Sequence, residues 1–221
     1  STGIGALTSD QINALPVTAI TALTVEQLNA FSEEQTKSFT RTQFGALTAT
    51  QVAAMPSSIW KDLPPATISS LTPAAIAGLS SDVISSLPSA HLSAITSGQI
   101  ASLNTAQVGA LTGTQIDLLS TAHIAALTGN QAGALSADAT ASLSEEQIKA
   151  LTPSAIGGLT TTQMDALTGT QLGALSSSQL VALSSTQVAS LEPANLQLFS
   201  SDALSQLSPD ALAGLPPATL A

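Results

Sequence analysis

The 221-residue chain contains no cysteine. Disulfides and thiolate metal sites are therefore excluded. Basic residues are almost as scarce: four stand against 14 acidic ones, for a net charge of −10. A nucleic-acid binder needs a basic stripe along the phosphates, so that class is set aside. Charged residues make up only 8% and aromatics 2%, both well below ordinary globular usage. No apolar run approaches the roughly 20 residues of a membrane span. Glycine-rich phosphate loops, a nucleophile elbow, a calcium loop and an Asn-x-Ser/Thr acceptor are also missing. No secretory leader is visible from Ser1 onward.

What is present is a strict short period, and a repeat must be read before any local motif. Hydrophobic residues reach 44%, nearly all Ala, Leu, Ile and Val, which is too apolar for a disordered tail. Residues 1–5 form a short lead-in. From Ala6 to Ala221 the chain divides into 27 octads without insertion or deletion. Ala110-Leu111-Thr112-Gly113-Thr114-Gln115-Ile116-Asp117 shows the pattern most clearly. Position two is Leu, or Phe31, Phe39, Met55, Ile95 or Phe199 in its place; position seven is aliphatic in most octads. Position three is Ser or Thr in 20 octads and Pro in five, and position six is most often Gln.

Ser/Thr followed three residues later by Gln is the capping-box pattern. Positions two and seven then become N′ and N4, the two ends of a hydrophobic staple. Each octad thus predicts the start of a new, very short helix. All 11 prolines sit at position three or four, and position four is N1, where Pro costs no hydrogen bond. Ten of the 14 acids sit at positions four and five, the first turn, where the helix dipole favours them. Lys37, Lys61 and Lys149 lie at position eight, nearer the C-terminal end. Gly45, Gly109, Gly133, Gly157 and Gly173 share that position, and Gly78, Gly158 and Gly214 follow at position one. These glycines read as helix ends.

A continuous helix fits poorly, because an octad drifts by about 80° per repeat and leaves no fixed apolar stripe. Repeated prolines would also break it. In a strand, positions two and seven would face opposite sides; a β-solenoid is the alternative fold. One octad cannot fold alone. Burying a Leu and an Ile yields about 1.5–3 kcal/mol each, while ordering eight backbones costs about 1–2 kcal/mol per residue. Neighbours must bury the rest. The expectation is an all-α solenoid, a superhelix of short capped helices with near-additive stability.

Along the array, Phe31, Phe39, Phe44 and Trp60 cluster early, at positions two or seven. They read as a bulkier core, with a sugar-stacking face as the alternative. Residues 63–88 are Pro-rich but stay in phase. The last octads keep phase without an atypical polar cap. The expectation is a segment of a longer array, or ends that meet other molecules.

Candidate chemistry is sparse. His91 and His123, both at position six, could recruit a metal, but each also fits as a polar residue near a helix start. Glu33–Glu34 and Glu145–Glu146 could be paired acids, yet their first-turn place already explains them. No catalysis and no cofactor are expected. A regular polar ladder of Gln99, Gln107, Gln115, Gln131 and Gln171, beside the position-three Thr column, is the candidate ligand surface, suited to a glycan.

The phrase Ala-Leu-Thr-x-x-Gln in octads 46–53, 110–117, 126–133 and 166–173 resembles tandem arrays of large secreted bacterial surface proteins and adhesins. That resemblance implies an extended stalk or spacer. Met55-Pro56-Ser57-Ser58-Ile59-Trp60 and Leu71-Thr72-Pro73-Ala74-Ala75-Ile76 are similar to phrases of the mesothelin and stereocilin family, which implies an extracellular superhelix that binds glycoproteins. The functional expectation is an extracellular or cell-surface spacer or assembly element, partnered by itself end to end or by neighbouring repeats. The alternative is an adhesive module for glycan or glycoprotein.

Overall fold

A computed structural model describes residues 3–197, 199 and 201–215. Among these, every octad from the first to the one beginning at Gln206 opens one helix, always at position four, from Ser9 to Pro209. Twenty-five of these elements are α-helices of four to six residues. The exception, Ser57–Ile59, is a 3-10 turn, and a further 3-10 turn, Ile4–Ala6, runs from the lead-in into the array. No strand occurs among the described residues, which excludes the β-solenoid. Residues 216–221 of the final octad, Pro216 and Pro217 among them, lie outside the described residues.

The start of each helix follows from position three. Thr8 has extended backbone (φ −75°, ψ 162°), and its hydroxyl accepts the Gln11 N–H while Gln11 accepts the Thr8 N–H. The same reciprocal pair recurs at Thr40/Gln43, Thr112/Gln115, Ser144/Gln147 and Thr168/Gln171, among others. Where Pro16, Pro64 or Pro88 takes the cap, no side-chain bond forms, and fixed φ alone sets the entry.

Glycines do mark helix ends, as Gly45, Gly109, Gly157 and Gly173 do, but without a left-handed cap. The helices do stop at positions seven, eight or one, but no described residue has positive φ. Ala46 ends one helix in right-handed geometry (φ −92°, ψ −8°), and Met55 ends the next by turning extended (φ −74°, ψ 147°). The position-two N–H closes the turn on the position-seven carbonyl, as Leu47 does on Phe44 at 3.1 Å, except after the 3-10 turn, where Leu63 bonds Ile59 O at position six. The left-handed residue of a glycine cap is not used.

The chain groups into two compact units, residues 1–107 and 108–221. In the first, Ser9–Asn13 packs on Glu33–Lys37, Val17–Thr21 on Arg41–Gly45, and Pro73–Ile76 on Ser97–Ser102. In the second, Gly113–Ile116 packs on Ala137–Ala141, Gly129–Ala134 on Pro153–Gly157, and Ser185–Ser190 on Pro209–Leu212. In each of these pairs the partner is the third octad along. Each unit is an all-α solenoid.

The core is columnar. Position two is buried from Phe31 to Leu207, and position seven from Ile12 to Leu196. The early aromatics lie within these columns. Phe31 meets Phe39 edge-on at 5.5 Å, and Phe44 meets Trp60 at 6.1 Å. All four are buried, so no aromatic face is offered to a sugar.

Candidate functional site: the glutamine column

A helix of four to six residues leaves most of its carbonyls without an internal partner. Burying such a carbonyl unpaired costs about 1–3 kcal/mol. The position-six glutamines answer this need from a distance. Gln43 accepts the Thr40 N–H at Oε1 (2.8 Å), and its Nε2 donates to Ile12 O (2.8 Å) and Leu15 O (3.0 Å). Gln51 donates to Ile20 O and Leu23 O, both at 2.9 Å. Gln99 and Gln107 repeat the pattern on Ile68 and Leu71, and on Ile76 and Leu79. In the second unit Gln147, Gln163, Gln179 and Gln187 do the same.

In each case the two acceptors lie 31 and 28 residues earlier. They are position seven of the fourth octad back and position two of the third. One primary amide therefore caps its own helix and ties it to the winding before. Between three and four octads make one winding of each unit. Gln171 varies the scheme, donating to Ala141 O and Leu143 O.

This geometry relocates the expected ligand ladder. Gln99, Gln107, Gln115, Gln131 and Gln171 are all buried, at 5% exposure or less. The amides of Gln99, Gln107 and Gln171 are engaged at both ends. A glycan at the surface meets none of the five. The sequence did carry a signal of this. Gln gives way at position six to Ile59, Ala75, Val83, Ala139, Ala155 and Ala211, among others, and these six are buried. An exposed polar column would tolerate Lys or Glu; this one accepts apolar residues, as a third core column does.

The histidines take the same role. His91 places Nε2 2.7 Å from Leu63 O, 28 residues back. A carbonyl only accepts, so the proton is on Nε2. His123 Nδ1 accepts the Ser120 N–H at 3.3 Å. Buried His91 Nδ1 has no partner, because its cap residue is Pro88, which has no N–H to give. Among the described residues no three His, Asp or Glu side chains gather as metal ligands.

The paired acids sit in first turns as expected. Glu33 accepts the Ser58 hydroxyl, and Glu146 pairs with Lys149 at 2.8 Å. Lys37 reaches Asp62 at 2.9 Å, 25 residues on. The hydrogen bond to Lys37 holds the Asp62 carboxyl below its ordinary pKa, and the same bond raises that of Lys37. Hydrogen bonding to its own backbone N–H and to Thr24 lowers Glu26.

What the surface does present is hydroxyl. Thr168 and Thr170 are paired at 3.0 Å, Ser176 and Ser178 at 3.1 Å, and Ser184 and Thr186 at 3.0 Å, in three consecutive octads.

Comparison with known proteins gives one family. The model described as the ALTTAQ repeat matches residues 84–121 and 141–177. The chain is thus similar, over two stretches, to a tandem repeat built on the octad's own opening phrase. No curated protein matches it, and the comparisons bring neither an adhesin nor a mesothelin- or stereocilin-like protein. No described helix is long and apolar enough to cross a membrane.

Proposed function

We propose that the chain is a non-catalytic structural spacer or assembly element at the cell surface. The observation that carries this reading is the use of the glutamine amides. The most regular polar group of the octad is spent inside, joining one winding to the next. Such a scaffold lengthens by adding octads and requires no new contact type. Neighbouring repeats of a longer array, or a second copy end to end, are the partners that fit it.

The test inserts four in-phase octads after residue 165. Small-angle scattering of the parent, single-insert and double-insert chains should show equal increments in maximum dimension. Unequal increments, or none, refute the spacer. A second reading, adhesion to glycan, rests on the exposed hydroxyl pairs rather than on the amides. A glycan array probed with the chain and with the Thr170→Ala, Ser178→Ala, Thr186→Ala triple variant separates the two. A spacer gives no signal, whereas an adhesin gives a signal that the variant loses.

A further inference from the structure

The glutamine column is interrupted at several octads of the first unit, and at one of these interruptions, Val83, there is a cavity. Val83 takes position six of the octad that begins at Gly78. Counting back 31 and 28 residues, the carbonyls that a glutamine there would bind belong to Val52 and Met55. A cavity of about 310 Å³ is lined by Val52, Met55, Ser80 and Val83, together with Trp60 and Ala53.

The octad beginning at Gly158 shows what belongs in this place. A Cβ on Gly158 would meet the backbone of Gly129, and a Cβ on Gly78 would meet that of Ala49, each 29 residues earlier. The two octads therefore sit equally close on the winding before. In the later one, Gln163 accepts the Thr160 N–H at 2.7 Å and donates to Ala132 O and Leu135 O, both at 2.8 Å. The equivalent groups at the cavity are the Ser80 N–H, Val52 O and Met55 O. Val83 has no amide and leaves all three without that partner. Its backbone N–H still takes the Ser80 hydroxyl at 3.2 Å, so the helix start is intact.

We propose that this cavity binds a small primary carboxamide with a short apolar body. One donor and two acceptors are arranged for a –CONH₂ group, because the glutamine octads place that group there. A carboxylate lacks the two N–H donors and sets negative charge against two carbonyls. An alcohol satisfies only part of the set. The apolar walls, Trp60, Met55 and Val83, accept a branched alkyl group. The site is independent of the spacer reading.

Trp60 is the only tryptophan in the chain and lines the cavity, so its emission reports occupancy. Isobutyramide titrated into the full chain should give a saturable change in that emission. N,N-dimethylisobutyramide and isobutyrate should each bind about tenfold more weakly or worse, the equivalent of one hydrogen bond's free energy. Val83→Gln, which installs the array's own amide, should abolish the response at unchanged helical circular dichroism. Ala53→Leu, which fills the rim from an exposed position, should weaken it about tenfold and serves if Val83→Gln fails to fold. A linear response to isobutyramide, equal binding of the dimethyl amide, or full binding by both variants overturns the proposal.

Discussion

At the scale of the residue, the glutamine amide does three jobs that no other side chain can combine. Its oxygen must accept and its nitrogen must donate twice, in a buried place. Gln147 accepts from Ser144 and donates to Ile116 O and Leu119 O, at 2.8–2.9 Å. Gln147→Ala should cost about 1–3 kcal/mol, since the array tolerates alanine at Ala139 and Ala155. Gln147→Glu should cost more, about 3–5 kcal/mol at neutral pH, because a buried carboxylate would face two carbonyls. Protonation restores one donor, so urea unfolding should show this variant alone regaining stability as pH falls. A Glu variant as stable as Ala at pH 7 would refute the donor role. His91 supplies the converse test. Pro88→Ser should return an N–H to Nδ1 and a hydroxyl cap to the His91 N–H, the arrangement seen at Ser120/His123. After the lost rigidity of proline, a net gain of about 1 kcal/mol in denaturant melts is expected.

At the scale of the element, the helix starts and the places where helices stop were legible, and what packs against the helix ends was not. Capping is local, so Thr8-x-x-Gln11 declares itself within four residues. What a glycine near the helix end faces lies 25 or 29 residues away, beyond any local reading. The destination of the glutamine nitrogen was hidden for the same reason. Half of each amide's work, the cap, was legible in the sequence; the other half waits on knowing that windings hold three to four octads. Two glycines of similar context show the difference. A Cβ on Gly173 would meet nothing within 4 Å, whereas one on Gly158 would run into the Gly129 backbone. Gly173→Ala should therefore stabilise by about 0.5–1 kcal/mol, and Gly158→Ala should destabilise by about 1–3 kcal/mol. Thermal melts that rank the two alike would show that close approach is not why glycine is there. The Lys37–Asp62 pair joins elements in the same long-range way. Asp62 has a lowered pKa, so its contribution is complete above the unfolded carboxylate value and disappears as pH falls through the folded one. Because the pair is exposed, the effect on stability is small. Side-chain NMR titration should show the Asp62 pKa returning towards normal in Lys37→Met.

At the scale of the molecule, helices of four to six residues have no stability of their own. Each unit stands because octads rest on the third before them, and those with a position-six glutamine are also tied to the fourth. Bonds of fixed sequence length, 28 and 31 residues, make phase the quantity that matters. Removing residues 166–173 takes out one whole octad, so every later glutamine in the second unit still finds position-seven and position-two carbonyls at its usual separation. Removing 166–172 shifts later positions by one residue against the windings before. Gln179 would then face the wrong carbonyls, and Leu180 would leave the position-seven column. The eight-residue deletion should keep helical circular dichroism per residue and a single cooperative urea transition, with only a modest drop in midpoint. The seven-residue deletion, though smaller, should lose cooperativity and expose apolar columns to a dye such as ANS. If both chains unfold alike, the windings are not held in register by these bonds, and the columns alone carry each unit.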